Sequence, residues 1–213
     1  PEFSVGYRFN ERAQITLSHK TSTVKPPYAQ LTGSLNYVGK HEIEGGNAEL
    51  KEERMYYTQI FGKWNDFILQ ADFTRSTDTY AFVKEIYPAR NMQLLLHPIN
   101  INISTISTYL IWSKAIKQWT PNITIGMYKQ WLAIENTNYN RPIFSAAINN
   151  TLTLNHGWTA TANIRSQTKG YIHTNQFGTT WLAMDMSAGK TFMKKALTIK
   201  LTATNIFNTD NNN

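Results

Sequence analysis

The chain has 213 residues, a formal net charge of +7 and a pI near 9.5. It contains no cysteine, which excludes disulfides and thiolate metal sites. The longest apolar runs, such as 109–112 and 181–184, are far shorter than the ~20 residues of a membrane-spanning helix, so an α-helical membrane protein is excluded. A mean hydropathy of -0.41 does not exclude a membrane β-barrel, whose strands need apolar residues only at alternate positions. The 26 Thr and 21 Asn favour strands and turns over helices.

The chain begins at Pro1 and ends in three asparagines, and we read residues 1–213 as a single-domain fragment or excised domain. Alternation of apolar and polar residues recurs almost throughout. It predicts ten strands, near 3–9, 13–20, 55–64, 67–86, 99–113, 119–131, 143–155, 158–168, 180–192 and 197–206. No stretch places apolar residues convincingly at helical spacing. Three places break the pattern. Ile99, Ile101 and Ile103 stand in the opposite phase to Ile106, Leu110 and Trp112, which suggests a bulge near Ser104–Thr105. Asn149–Asn150 interrupts an apolar face, and 55–64 is apolar in both phases.

The connections alternate in length. Short ones fall at 10–12, 65–66, 114–118, 156–157 and 193–196; long ones at 21–54, 87–97, 133–142 and 169–178. An up-and-down antiparallel sheet with two unlike ends has this order, as membrane barrels do. Trp64, Trp112, Trp119, Trp158, Phe9, Phe67 and Phe192 all lie near short turns. An aromatic belt at the headgroup level uses that placement, because an amphipathic ring gains from straddling the interface. Trp capping a soluble core near a hairpin is the other reading. The face opposite the apolar one carries rows such as Thr159, Thr161, Asn163, Arg165 and Gln167, too polar for a core. It faces either a wet interior or bulk solvent.

Short motifs then enter. Gly46-Asn47-Ala48-Glu49-Leu50-Lys51-Glu52-Glu53 follows a long loop and opens a strand; Lys25-Pro26-Pro27-Tyr28 precedes it. Phe192-Met193-Lys194-Lys195 and Asn205-Ile206-Phe207-Asn208-Thr209 flank the last strand. In this order they resemble the C-terminal half of a TonB-dependent receptor, of the outer-membrane β-barrel family common in Bacteroidota. Ala48 and Glu52 stand where the family has prolines, and Asn205 where it has an acidic residue. The resemblance implies the bacterial outer membrane, an all-β antiparallel up-and-down barrel segment, and outer-membrane lipid around it. It further implies TonB as a partner through a plug domain that this sequence lacks, and no cofactor. In the family's 22-stranded barrel the first strand here would be strand 12, and would end in a short turn, as 10–12 is.

No catalytic constellation is found, and an enzyme is not expected. His19, His41, His97, His156 and His173 are scattered without metal-ligand spacing. The acidic residues Glu42, Glu44, Glu49, Glu52 and Glu53 cluster in one long loop without calcium-loop spacing and read as a solvated face. The basic residues are dispersed, so no nucleic-acid partner is expected. The function expected is part of an outer-membrane transporter importing a large nutrient of unidentified class. The alternative is a soluble all-β ligand- or glycan-binding domain. Ligand contacts are expected from inward residues near the long loops: Tyr128, Gln130, Arg165, Gln167, Lys169 and Tyr171.

Overall fold

The structure, a computed structural model, describes residues 1–87, 94–193 and 196–209. Lys194–Lys195, the terminal asparagines and most of the second long connection lie outside the described residues.

Ten long strands form one antiparallel sheet in chain order. They are β1 (Glu2–Asn10), β2 (Ala13–Val24), β5 (Glu53–Trp64), β6 (Phe67–Ile86), β7 (Leu94–Ser113), β8 (Trp119–Trp131), β11 (Ile143–Thr153), β12 (Trp158–Gln167), β15 (Trp181–Phe192) and β16 (Leu197–Ala203). The long connections carry three small hairpins: β3 (Leu35–Gly39) with β4 (Glu42–Gly45), β9 (Ala133–Ile134) with β10 (Thr137–Asn138), and β13 (Gly170–Ile172) with β14 (Asn175–Phe177). A single-turn helix, α1 (Tyr28–Leu31), lies in the first long connection. All ten expected strands are present. The largest boundary difference is β7, which starts at Leu94 rather than near Ile99.

Because neighbours pair directly, every second connection lies at the same end. Among the described residues, the long connections leave the sheet at one end and the short ones at the other. Asn65, with φ 52, reverses the chain between β5 and β6. Gly157, with φ 78, closes the turn before β12; a Cβ there would lie 2.6 Å from the Thr191 carbonyl oxygen. Only glycine fits that combination.

Register carries each face across the sheet. One row runs Ala13, Trp64, Phe67, Trp112, Ile123, Ile148, Ile164, Met184. A second runs Trp119, Leu152, Ala160, Ala188, Leu201. Leu17 joins this face through Ile60, Ala71, Thr108 and Met127. On the opposite face Asn122, Asn149, Asn163 and Asp185 stand in register, as do Thr120, Thr151, Thr161, Ser187 and Thr202. The two sets expected from alternation therefore occupy opposite faces. Asn149 belongs to the polar face. Asn150 is the amide on the apolar one, where the Trp119 indole N–H donates to its Oδ1 at 3.1 Å and its Nδ2 donates to the Ala162 carbonyl at 3.3 Å.

The bulge expected at Ser104–Thr105 is not there. β7 runs in register through that point, and the irregularity lies in the partner strand, between Ser76 and Thr79 of β6 and facing Ile101–Ile103, where Asp78 has φ 57. The isoleucines change face because the inner surface itself turns apolar beyond the band. Ile103 packs with Leu132 and Ile134, and Ala81, Val83, Ile99, Ile101 and Tyr139 surround them. This cluster sits at the loop end, where β6 and β7, each 20 residues long, outrun a ~10-residue bilayer crossing. β1 and β16 each pair on one side only, so the sheet is open among the described residues.

Candidate functional site

The loop end builds a roofed cavity on the polar face. β8 places Tyr128 and Gln130 on that face, and the chain then folds inward as β9 and β10. Gln130 is completely buried. Its Nε2 donates to the carbonyls of Tyr139 at 2.6 Å and His173 at 2.7 Å. Its Oε1 accepts from the His173 N–H at 2.8 Å and from the Tyr128 hydroxyl at 3.2 Å. One amide thus fastens two loop hairpins to the wall. The rings of Tyr139 and Tyr171 meet edge-on at 5.4 Å, and the Tyr171 N–H donates to the Arg141 carbonyl at 3.2 Å, closing the same junction.

Beneath lies a cavity of about 670 Å³. Ile101, Ile103, Leu132 and Ile134 make its apolar floor; Thr74, Ser76, Thr79, Thr105 and Tyr128 supply hydroxyls, with Glu53 and His173 at the lining. Such a site offers area for an apolar surface and hydrogen bonds to orient it.

Of the six expected contact residues, Tyr128, Gln130 and Tyr171 come together here. Tyr128 lines the cavity. Gln130 is enclosed, with its amide engaged by the hairpins. Arg165 stands on β12 and pairs with Asp185 at 3.1 Å, and Gln167 faces Ser145 and Trp181 on the neighbouring strands. Lys169 is exposed, and its N–H donates to Thr180 Oγ1 at 3.4 Å. Ser76, Thr79, Leu132, Ile134 and His173 line the cavity without having been singled out from sequence. A usable signal was present: apolar residues at Leu132 and Ile134 continue the inward phase of Gln130, which marks a covered inner face.

Elsewhere on the inner face Asp72 is held by donors. Tyr57 Oη donates to Oδ1 at 2.6 Å, Gln59 Nε2 to Oδ1 at 2.7 Å, and Gln70 Nε2 to Oδ2 at 2.8 Å. The acidic loop is partly paired, through Glu42 with Lys84 at 2.9 Å and Glu52 with Lys25 at 3.6 Å. The Gly46–Leu50 stretch anchors its loop on β7: Asn47 Nδ2 donates to the Pro98 carbonyl at 3.0 Å and the Lys51 N–H donates to Asn100 Oδ1 at 2.9 Å. Gly46 admits no side chain, since a Cβ would fall 2.0 Å from the Thr32 carbonyl oxygen.

An apolar face, an aromatic row at the tight-turn end, a polar opposite face and long connections at one end define a membrane β-barrel wall. Residues 1–213 match the outer membrane protein beta-barrel family, and the chain belongs to that family. No curated protein and no solved structure matches the chain. Membership places the protein in the bacterial outer membrane, with the apolar face toward lipid, and removes the soluble-domain alternative.

Proposed function

We propose that the chain forms part of the wall and outer loops of a transporter that admits a large nutrient across the outer membrane. The observation that supports this reading is the roofed cavity on the inner face at the loop mouth, with Tyr128 on its wall. The loops present the first contact surface, and the polar inner face provides a hydrated route. Energy would come from TonB through a plug domain, following the resemblance to TonB-dependent receptors of Bacteroidota; residues 1–213 are then one part of a larger barrel. Tyr128, Arg165, Gln167, Lys169 and Tyr171 are the contact residues in this reading. Gln130 acts through the hairpins it holds.

The test is nutrient uptake by the native polypeptide carrying Tyr128→Ala or Arg165→Ala, at surface levels matched to wild type. Loss of uptake of one solute class supports the assignment. Unchanged uptake of every solute that depends on this protein removes both residues from it, and a deletion strain with no uptake defect removes the transporter reading.

A further inference from the structure

We propose that the loop end of the lipid face carries a headgroup site for a phosphate-bearing lipid of the outer leaflet, formed by Arg54 and Arg75 beside Tyr56 and Trp131. The register fixes the face. Leu17, Ile60, Ala71, Thr108 and Met127 form one row of the lipid face. Two rows further toward the loops, in the same phase, stand Tyr56, Arg75, Ser104 and Trp131, and Arg54 follows them opposite Thr77. The height is fixed as well. Trp64 to Tyr56 and Phe67 to Arg75 are each eight residues, so this row lies ~26 Å along the strands from the aromatic row at the turn end. Tilted strands cross a bilayer in ~9–11 residues, and the two rows therefore mark its two surfaces. Long loops of such barrels are extracellular, which puts the two arginines at the outer leaflet.

Two like charges meet there without a counter-charge. Arg54 and Arg75 are diagonal neighbours on β5 and β6, roughly 7–8 Å apart, and both are exposed. Neither forms an ion pair among the described residues. Glu52 is taken by Lys25 at 3.6 Å, Glu53 lines the inner cavity, Asp72 is held on the inner face, and Asp78 at the bulge pairs with neither guanidinium. Lys129, a third cation on this face, is engaged: its Nζ donates to the Asn140 carbonyl at 2.5 Å and lies 5.7 Å from the Trp131 ring centre. A phosphate between the two guanidinium groups relieves their repulsion and accepts paired N–H bonds from each planar fork. Tyr56 and Trp131 are exposed in the same row, and Phe73 in the next row toward the bilayer centre. Rings at that height pack on the sugar and the first methylenes of a lipid. A free anion gains nothing from these rings, and a zwitterionic headgroup brings its own cation, which the arginines repel.

The experiment uses the full native polypeptide in detergent micelles, with lipid A or the same glycolipid stripped of its phosphates added and bound lipid counted by native mass spectrometry. Wild type is expected to retain the phosphorylated form preferentially. With each interfacial cation worth about fivefold in affinity, Arg54→Gln with Arg75→Gln is expected to lower that preference by roughly 25-fold. Arg54→Lys with Arg75→Lys keeps both charges and is expected to retain most of it, which separates lost charge from a disturbed fold. Lys20 stands opposite Tyr57 on the inner face, at the same height. Lys20→Gln removes an equal charge from the wrong side of the wall and is expected to leave the preference within about twofold. Five results overturn the proposal: no preference in wild type, a preference that survives the double glutamine substitution, an equal loss in the double lysine variant, an equal loss in Lys20→Gln, or complete displacement of the lipid by millimolar inorganic phosphate.

Discussion

The two ends of this sheet are held by different physics. At the turn end the chain reverses within a few residues, local backbone geometry at Asn65 and Gly157 sets the turns, and the large rings stay exposed: Trp64 at 59%, Trp158 at 45%, Phe67 at 46%. No buried cluster forms there among the described residues. At the loop end two strands rise past the bilayer, their inner face turns apolar, and hairpins from distant connections fold onto it, producing the cluster of Ile103, Leu132 and Ile134. A barrel wall in lipid needs no core of its own, because the bilayer covers its apolar face. Where the wall leaves the bilayer, protein must provide the cover.

The sharpest way to break this comparison is to charge the band between the two ends. Ile125→Arg on the lipid face is expected to destabilise the folded barrel by ~2–4 kcal/mol, whereas Thr124→Arg on the adjacent inward position should cost little. Refolding into bilayers along a urea series measures both, and equal costs would mean that the faces are misassigned.

Next in size is Gln130→Ala at the loop end. It leaves buried partners at His173 and Tyr139 without a bond, a loss of about 1–3 kcal/mol per stranded group. The effect should be local: the His173 amide exchanges roughly a hundredfold faster and proteases clip 133–142 or 169–178, while the strands of the band stay protected. Global loss of strand protection would show that the loop end and the band are one cooperative unit.

Asn150→Ala removes the acceptor of the Trp119 indole on the lipid face and is expected to cost about 1 kcal/mol, seen as a small shift in the same urea midpoint. No shift would mean that the indole finds headgroups or water instead, and that the turn-end belt lies deeper in the interface.

The smallest effects belong to the turn end. Lys190 lies 4.9 Å from the Trp158 ring centre and 5.0 Å from that of Phe192, and Lys190→Ala should cost ~0.5–1 kcal/mol. Lys114→Ala breaks an exposed pair with Asp66 and should fall within ~0–1 kcal/mol, vanishing in high salt. A larger, salt-insensitive loss from either would show that the turn end has packing of its own.

Most of the wall was legible in the alternation of residues. Leu17, Ile123, Ala160 and Leu201 reached one face and Thr124, Asn163 and Lys200 the other, because a strand has a period of two and any slip would invert the whole set. The aromatic placement near short turns was legible for a similar reason, since distance from a turn is distance along a strand. The candidate site was legible only in outline. Tyr128 was singled out by type and phase and does line the cavity. Gln130, singled out on the same grounds, proved to be fully buried under hairpins that carry no alternation long enough to read.

The isoleucines of β7 mark the boundary between the two kinds of information. From sequence their change of phase resembled a bulge in their own strand. In three dimensions the strand is regular and the bulge lies in its partner, at Thr77–Asp78. Period-two patterning by itself determined the strands, their faces and the unlike ends, because these follow from bonds and side-chain directions within a few residues. The tertiary structure alone decided which connection folds inward, which polar groups it engages and where a cavity remains. Those outcomes depend on contacts between His173 and Gln130, 43 positions apart, and no local pattern encodes a contact at that separation.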